Sequence, residues 1–281
     1  MQIINSLSEL KSTIQSFRNK NNTIGLVPTM GALHRGHLSL VKQSLSENNK
    51  TILTIFVNPT QFNDKNDLRN YPRDLDSDLA LLKPFNVDVI FTPSELEMYP
   101  EPDTRIFDFG NLDKVMEGKN RPGHFNGVAQ IVSKFFISIQ PDKAYFGEKD
   151  FQQLTIIKHL VSQLNLPIKI VPCAIIREDD GLALSSRNVL LNPDQRKSAI
   201  HISQTLFSSK TKQKDIDIEE FKKWVISNVN QDKELQVEYF EIVDDVNLFP
   251  VKSWNEPTSK VGCITVRVGN VRLIDNIRYN S

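Results

Sequence analysis

The chain has 281 residues, 39% of them hydrophobic and 24% charged, a globular composition long enough for one large core and a smaller one. Lys plus Arg and Asp plus Glu each total 34, and zero net charge argues against broad binding to nucleic acid or an anionic membrane. Cys173 and Cys263 are too few for a disulfide framework, Asn5, Ser6, Ser8 and Glu9 make no secretory signal, and no stretch is apolar enough to span a bilayer, so a cytoplasmic protein is expected.

Ser6-Leu7-Ser8-Glu9 reads as a capping box, with Leu7, Leu10, Ile14 and Phe17 on one face of the helix that follows. Asn21 and Asn22 end it, and residues 23–27 form a strand. Pro28 to His37 make a turn rich in small residues, and Leu38, Val41 and Leu45 mark the next helix. The β-branched run 51–57 suits a buried parallel strand. Leu75, Leu79 and Leu82 give a helix, and 87–91 a strand. Residues 92–108 hold three prolines and read as a surface excursion. Asn126 is a candidate cap for a helix through Ile139, with a strand at 144–146, a helix from Phe151 to Leu164 and a strand at 168–171 after it. Alternating strand and helix implies a parallel sheet with right-handed crossovers.

The pattern changes near Arg177-Glu178-Asp179-Asp180-Gly181. Asn192-Pro193 opens a helix at 193–208, and a Lys-rich loop, Lys210 to Lys214, separates it from another at 217–229. Runs 235–243 and 261–268 alternate on period two with no crossover helix between them, so they suit an antiparallel sheet. The expected fold is α/β: a Rossmann-like open parallel sheet over 1–177, and a smaller α+β domain with antiparallel strands over 178–281.

Ligands of open parallel sheets bind at the carboxyl ends of the strands, where four polar clusters fall. The first, Met30-Gly31-Ala32-Leu33-His34-Arg35-Gly36-His37, offers free amides, a helix dipole and two imidazoles to a phosphate. Its spacing fits neither a P-loop nor a dinucleotide fingerprint. His34 and His37 could also be half of a metal site or ordinary surface groups, although no third ligand cluster lies nearby. The second, Asn58 to Phe62, offers neutral amides, or is simply an Asn-Pro turn. The third, Gly147-Glu148-Lys149-Asp150, places Lys149 to meet a phosphate, with Gln153 one turn further on; Asp150 as a plain helix cap explains it equally well. The fourth, Leu184-Ser185-Ser186-Arg187-Asn188, supplies hydroxyls and a guanidinium suited to a departing pyrophosphate, or a turn.

Taken together these stretches are specific. His34-Arg35-Gly36-His37 resembles the first signature of the nucleotidyltransferase superfamily, and Ser185-Ser186-Arg187 the counterpart of its mobile lysine-serine loop. Pro28 to His37, Phe56 to Phe62, Gly147 to Gln153 and Leu184 to Asn188, with Tyr71-Pro72-Arg73, Arg121 to Phe125 and Arg272 to Asn276, resemble the pantothenate synthetases, which are pantoate–β-alanine ligases. The resemblance implies that pantoate's carboxylate attacks the α-phosphorus of ATP, and that β-alanine's amine then attacks the resulting pantoyl adenylate. It assigns ATP to Met30 through His37, Gly147 through Asp150, Ile176 and Leu184 through Arg187. It assigns (R)-pantoate to Gln61 and Gln153, and β-alanine also to Gln61. His37 is implied as proton donor, with His34, Lys149 and Arg187 completing the catalytic set, in a homodimer.

Adenylation calls for charge stabilisation more than proton transfer, which this set supplies without a nucleophilic Ser or Cys. Mg²⁺ is expected to accompany ATP with few protein ligands; Asp76 and Asp78 are candidates, or merely an acidic helix start. Gly181 precedes the Ser-Ser-Arg loop and is expected to let it close over the phosphates, with the smaller domain as lid. A plain nucleotidylyltransferase would need a second basic cluster for its acceptor phosphate, whereas Gln61 and Gln153 are neutral. Zero net charge disfavours an RNA-binding module.

Overall fold

Strand and helix alternate as expected through Cys173 in the computed structural model, which describes residues 1–213 and 216–279. β1 (Gln2–Ile4) leads to α1 (Leu7–Arg18), β2 (Ile24–Thr29), α2 (Arg35–Glu47) and β3 (Lys50–Ile55). Next come α3 (Lys65–Asn70), α4 (Leu75–Leu82), β4 (Val89–Phe91), α5 (Glu95–Met98) and α6 (Met116–Asn120). α7 (His124–Ile139), β5 (Lys143–Gly147), α8 (Phe151–Gln163) and β6 (Lys169–Cys173) complete the series.

The six strands pair in parallel in the order β1-β4-β3-β2-β5-β6. β2 and β3 register from Ile24↔Lys50 to Thr29↔Ile55, and Ile24, Leu26, Val27, Ile52 and Leu53 are fully buried. A strand covered on both faces cannot alternate, which is why these runs are continuously apolar. From β2 the chain winds outward through β3 to β4, while β5 and β6 build the opposite side. The order therefore reverses between β2 and β5, and ligands of open sheets bind at such a reversal.

Local chemistry differs from the sequence reading in three places. Ser6 accepts from the Glu9 amide at 3.3 Å, but the Glu9 carboxylate accepts from Gln2 on β1, a strand too short to show a period. Asn126 does not cap α7; Gly123, at φ +81, stands before the helix. Asn126 instead ties down the excursion, accepting from the Phe107 amide (2.9 Å) and donating to the Arg105 carbonyl (3.1 Å). The excursion carries α5 and brings the Tyr99 hydroxyl within 2.7 Å of Asn58 Oδ1.

The chain forms two compact units, Met1–Glu148 with Ile156–Cys173, and Lys149–Thr155 with the residues from Ala174 onward. In the second, α9 (Pro193–Lys212) and α10 (Ile218–Val229) precede an antiparallel sheet of β7 (Leu235–Asp244), β8 (Lys260–Val268) and β9 (Val271–Tyr279). Asn192 and Gln195 form the capping box at α9. Its core gathers Phe221, Phe240 and Tyr279, with the Trp254 ring edge-on to Phe221 at 5.0 Å. β9 is a strand the sequence reading missed, although Gly269-Asn270 between Val268 and Val271 is a two-residue hairpin signal. Lys210 and Lys212 lie in the last turn of α9 rather than in a loop, where cations suit the helix dipole; Lys214 lies outside the described residues.

One prediction concerns the excursion. The Arg105 guanidinium, 2.8 Å from Asp103, holds that carboxyl down to about 2, against an ordinary 3.8. Between those values the unfolded chain binds the proton first, so stability present above pH 3.8 is lost as pH falls towards 2. Asp103→Asn should flatten that acid limb in urea titrations at a series of pH values; an unchanged limb would contradict the assignment.

Candidate active site

The loop after β2 is strained and heavily bonded. Gly31 lies at φ +82 and Ala32 at φ +50, backbone that L side chains adopt reluctantly. A Cβ at Gly31 would stand 3.0 Å from Asp78 Oδ2 and 3.1 Å from Ile55, so a side chain there would force these neighbours to shift as well as strain the backbone. Several of the amides expected to be free are met by the protein itself. Gly31 N–H donates to Thr29 Oγ1 at 3.2 Å. Ala32 N–H and Leu33 N–H donate to the two oxygens of Asp78, at 3.0 and 2.6 Å. Burial pushes the Asp78 carboxyl up, and its two amide bonds pull the other way.

The two histidines cap α2 reciprocally. His34 Nδ1 accepts from the Gly36 amide (3.1 Å) and His37 Nδ1 from the His34 amide (3.3 Å), their rings 4.1 Å apart. With both Nδ1 atoms accepting, each neutral ring carries its proton on Nε2. The first turn of α2, which includes Arg35, holds no acidic residue, so its dipole stays positive towards an anion.

Gln61 sits in a 3-10 turn, Pro59–Gln61, and is buried. Its Nε2 lies 3.1 Å from Met30 Sδ, so a residue assigned to pantoate and one assigned to ATP touch across 31 positions of sequence. Asn58, expected to offer its amide to a ligand, is committed internally. Nδ2 donates to Gln61 Oε1 (3.2 Å) and to the Gly127 carbonyl (3.0 Å), while Oδ1 accepts from Tyr99. Burial raises the Tyr99 hydroxyl to about 12, so it remains a donor. Gly147 ends β5 opposite Cys173, followed by Glu148. The loop after β2 and the Gly147-Glu148 end of β5 thus flank the reversal in strand order.

The remaining candidates belong to the second unit. Lys149 and Asp150 complete a 3-10 turn, and the Lys149 carbonyl accepts from Asn276 Nδ2 at 3.0 Å. Gln153 is half-buried in α8. Ile176 and Leu184 come together in a hairpin, Leu184 N–H donating to the Ile176 carbonyl at 3.0 Å. The hairpin carries Ser185, whose Oγ accepts from the Arg187 amide at 3.2 Å and opens the 3-10 helix Ser186–Leu190. Gly181, expected to loosen this loop, is a fixed corner at φ +95, its carbonyl held by Arg177 Nη1 at 3.1 Å. Arg177 also grips buried Asp275 with two parallel bonds of 2.6 and 2.9 Å. The loop is therefore stapled to β9.

Among the described residues no three His, Cys, Asp or Glu side chains gather as a metal site. Asp76 is exposed, and both oxygens of Asp78 are bound to amides, so these candidates do not fit a dedicated Mg²⁺ site. The sequence reading missed Asp78 as the anchor of the loop because its partners are main-chain atoms, which no side-chain pattern records.

The His34-Arg35-Gly36-His37 helix start at the reversal point of a parallel sheet has the place and form that the resemblance to the nucleotidyltransferases implied. The sequence profile of the pantoate–β-alanine ligases matches residues 2–278. Pantothenate synthetases of Bacteroides thetaiotaomicron and Porphyromonas gingivalis are 54% and 53% identical over 279 residues, 99% of either chain. The crystal structure of pantothenate synthetase from Thermus thermophilus superposes with a TM-score of 0.92 at 39% identity, covering 100% of both chains. The pantoate–β-alanine ligase of Francisella tularensis, complexed with β,γ ATP and β-alanine, gives 0.83 at 36% identity over 99% of this chain and 97% of its own. The chain belongs to the pantoate–β-alanine ligase family and is an enzyme.

Asp78→Ala would leave the Ala32 and Leu33 amides without their acceptor in a buried place. We expect a loss of on the order of 3 kcal/mol in urea unfolding. A loss below about 0.5 kcal/mol would show that these bonds do not hold the loop.

Proposed function

We propose that the enzyme condenses (R)-pantoate with β-alanine at the expense of ATP, through pantoyl adenylate. A pantoate carboxylate oxygen bonds to the α-phosphorus, and the bond to the bridging oxygen breaks, releasing pyrophosphate. The amine of β-alanine then bonds to the acyl carbon, the carbon–oxygen bond to AMP breaks, and the nitrogen gives up a proton. The observation that carries this reading is the contact between Gln61 and Met30. It sets a neutral amide, suited to a hydroxy acid, beside a loop whose helix dipole and imidazoles suit phosphate.

Within the same reading the Nε2–H groups of His34 and His37 donate to phosphate oxygens, and do so most strongly as negative charge builds in the transition state. His37 needs no change of protonation for that, since its Nδ1 is held by the His34 amide. Met30 to His37, Gly147 to Asp150, Ile176 and Leu184 to Arg187 hold ATP, with Lys149 and Arg187 as the cations. Ser185, Ser186 and Arg187 engage the leaving pyrophosphate. Gln61 and Gln153 hold pantoate, and Gln61 also reaches β-alanine. Mg²⁺ belongs to this reading as a companion of ATP. Family resemblance extends it to a cytoplasmic homodimer divided near residue 177, its smaller domain acting as lid; no helix among the described residues is long and apolar enough to cross a membrane.

Two measurements test the reading. Pyrophosphate release from ATP should require pantoate, and AMP with pantothenate should form only when β-alanine is added; release independent of pantoate would overturn it. His37→Ala should lower kcat by on the order of 10²–10³ while leaving the unfolding midpoint nearly unchanged. Near-normal turnover in the folded variant would remove His37 from the chemistry.

A further inference from the structure

Behind Gln61 lies a polar group that the mechanism above does not use. His124, in the first turn of α7, is buried at 6% exposure. Its Nδ1 is 2.7 Å from the Gln61 carbonyl, and its Nε2 is 3.2 Å from Arg121 Nη1. A guanidinium only donates, so Nε2 accepts and the proton resides on Nδ1, which donates to the carbonyl. This tautomer is the opposite of the one the caps impose on His34 and His37. Arg121 Nη2 reaches the same carbonyl at 3.5 Å.

The backbone of α7 presses on the turn from the same side. A Cβ at Gly127 would fall 2.3 Å from the Thr60 carbonyl oxygen and 2.7 Å from the Gln61 amide nitrogen, so the close approach needs glycine. The Gly127 carbonyl accepts from Asn58, which in turn donates to Gln61 Oε1. Asn58 thus orients the side chain of Gln61, and His124 fixes its main chain. His124 lies much closer to that carbonyl than Arg121 does, and a turn of three residues has few internal bonds with which to hold itself.

We propose that His124, kept in its Nδ1–H form by Arg121, is a positioning residue that places Gln61 for the acid substrate. The role rests on the ligase reading, in which Gln61 contacts pantoate. It acts on pantoate and not on ATP, because the loop after β2 is anchored separately by Asp78 and the histidine caps.

Nitrogen-15 NMR of the imidazoles in the unmodified enzyme gives the first readout, independent of activity. Of the five histidines, the resonance lost in His124→Asn should show Nδ1 protonated and Nε2 bare. Steady-state kinetics give the second. His124→Ala should raise KM for pantoate roughly tenfold and leave KM for ATP within about twofold. His124→Asn, whose amide N–H can stand where Nδ1–H stood, should recover most of that loss, and His124→Gln should not. A His124 protonated on Nε2, an asparagine variant no better than alanine, or equal increases in both KM values would overturn the proposal. The NMR result decides the tautomer even if His124→Ala fails to fold. Pantoate-independent pyrophosphate release by the unmodified enzyme would strike the ligase reading instead.

Discussion

Main-chain amides at the end of β2 are the constraint on which the candidate site depends. A strand that stops at the middle of a buried parallel sheet leaves its following N–H groups without ladder partners, and such groups must be bonded. Here Thr29, the Asp78 carboxylate and the two imidazoles meet the amides of Gly31, Ala32, Leu33, His34 and Gly36. One arrangement therefore holds a backbone with positive φ at Gly31 and Ala32 and sets both histidine tautomers. The donors left to a ligand follow from what the protein has already satisfied.

The same economy governs the turn that carries Gln61. Asn58 and Gly127 clamp it from within, Tyr99 braces Asn58 from the excursion, and His124 takes the Gln61 carbonyl. The excursion and the start of α7, which look like connections in the sequence, thus support the neighbourhood of the site. In the second unit the hairpin that presents Ser185 and Arg187 is likewise stapled, by Arg177 to Asp275.

Five of the six strands of the first unit were legible because burial on both faces demands continuous apolar runs, whereas β1, three residues long, was missed; α9 was legible because Asn192-Pro193 is a strong start signal. Met30 through His37 were found as a junction of strand, small-residue turn and helix. Less was legible where partners are remote or belong to the main chain. Asp78 reads as an ordinary acid in a helix start, Asn126 as a cap, and Asn58 as a ligand group, because each reading uses only neighbours in sequence. β9 was missed because its alternation is interrupted by Asp275 and Asn276, polar residues buried for their bonds to Arg177 and the Lys149 carbonyl.

The central claim is that ligation proceeds through an acyl adenylate, and isotope transfer tests it most directly. Pantoate carrying ¹⁸O in both carboxylate oxygens should, on complete conversion with ATP and β-alanine, deliver one labelled oxygen to AMP and keep one in the amide carbonyl of pantothenate. AMP free of label, or label recovered in inorganic phosphate, would contradict attack of the carboxylate on the α-phosphorus.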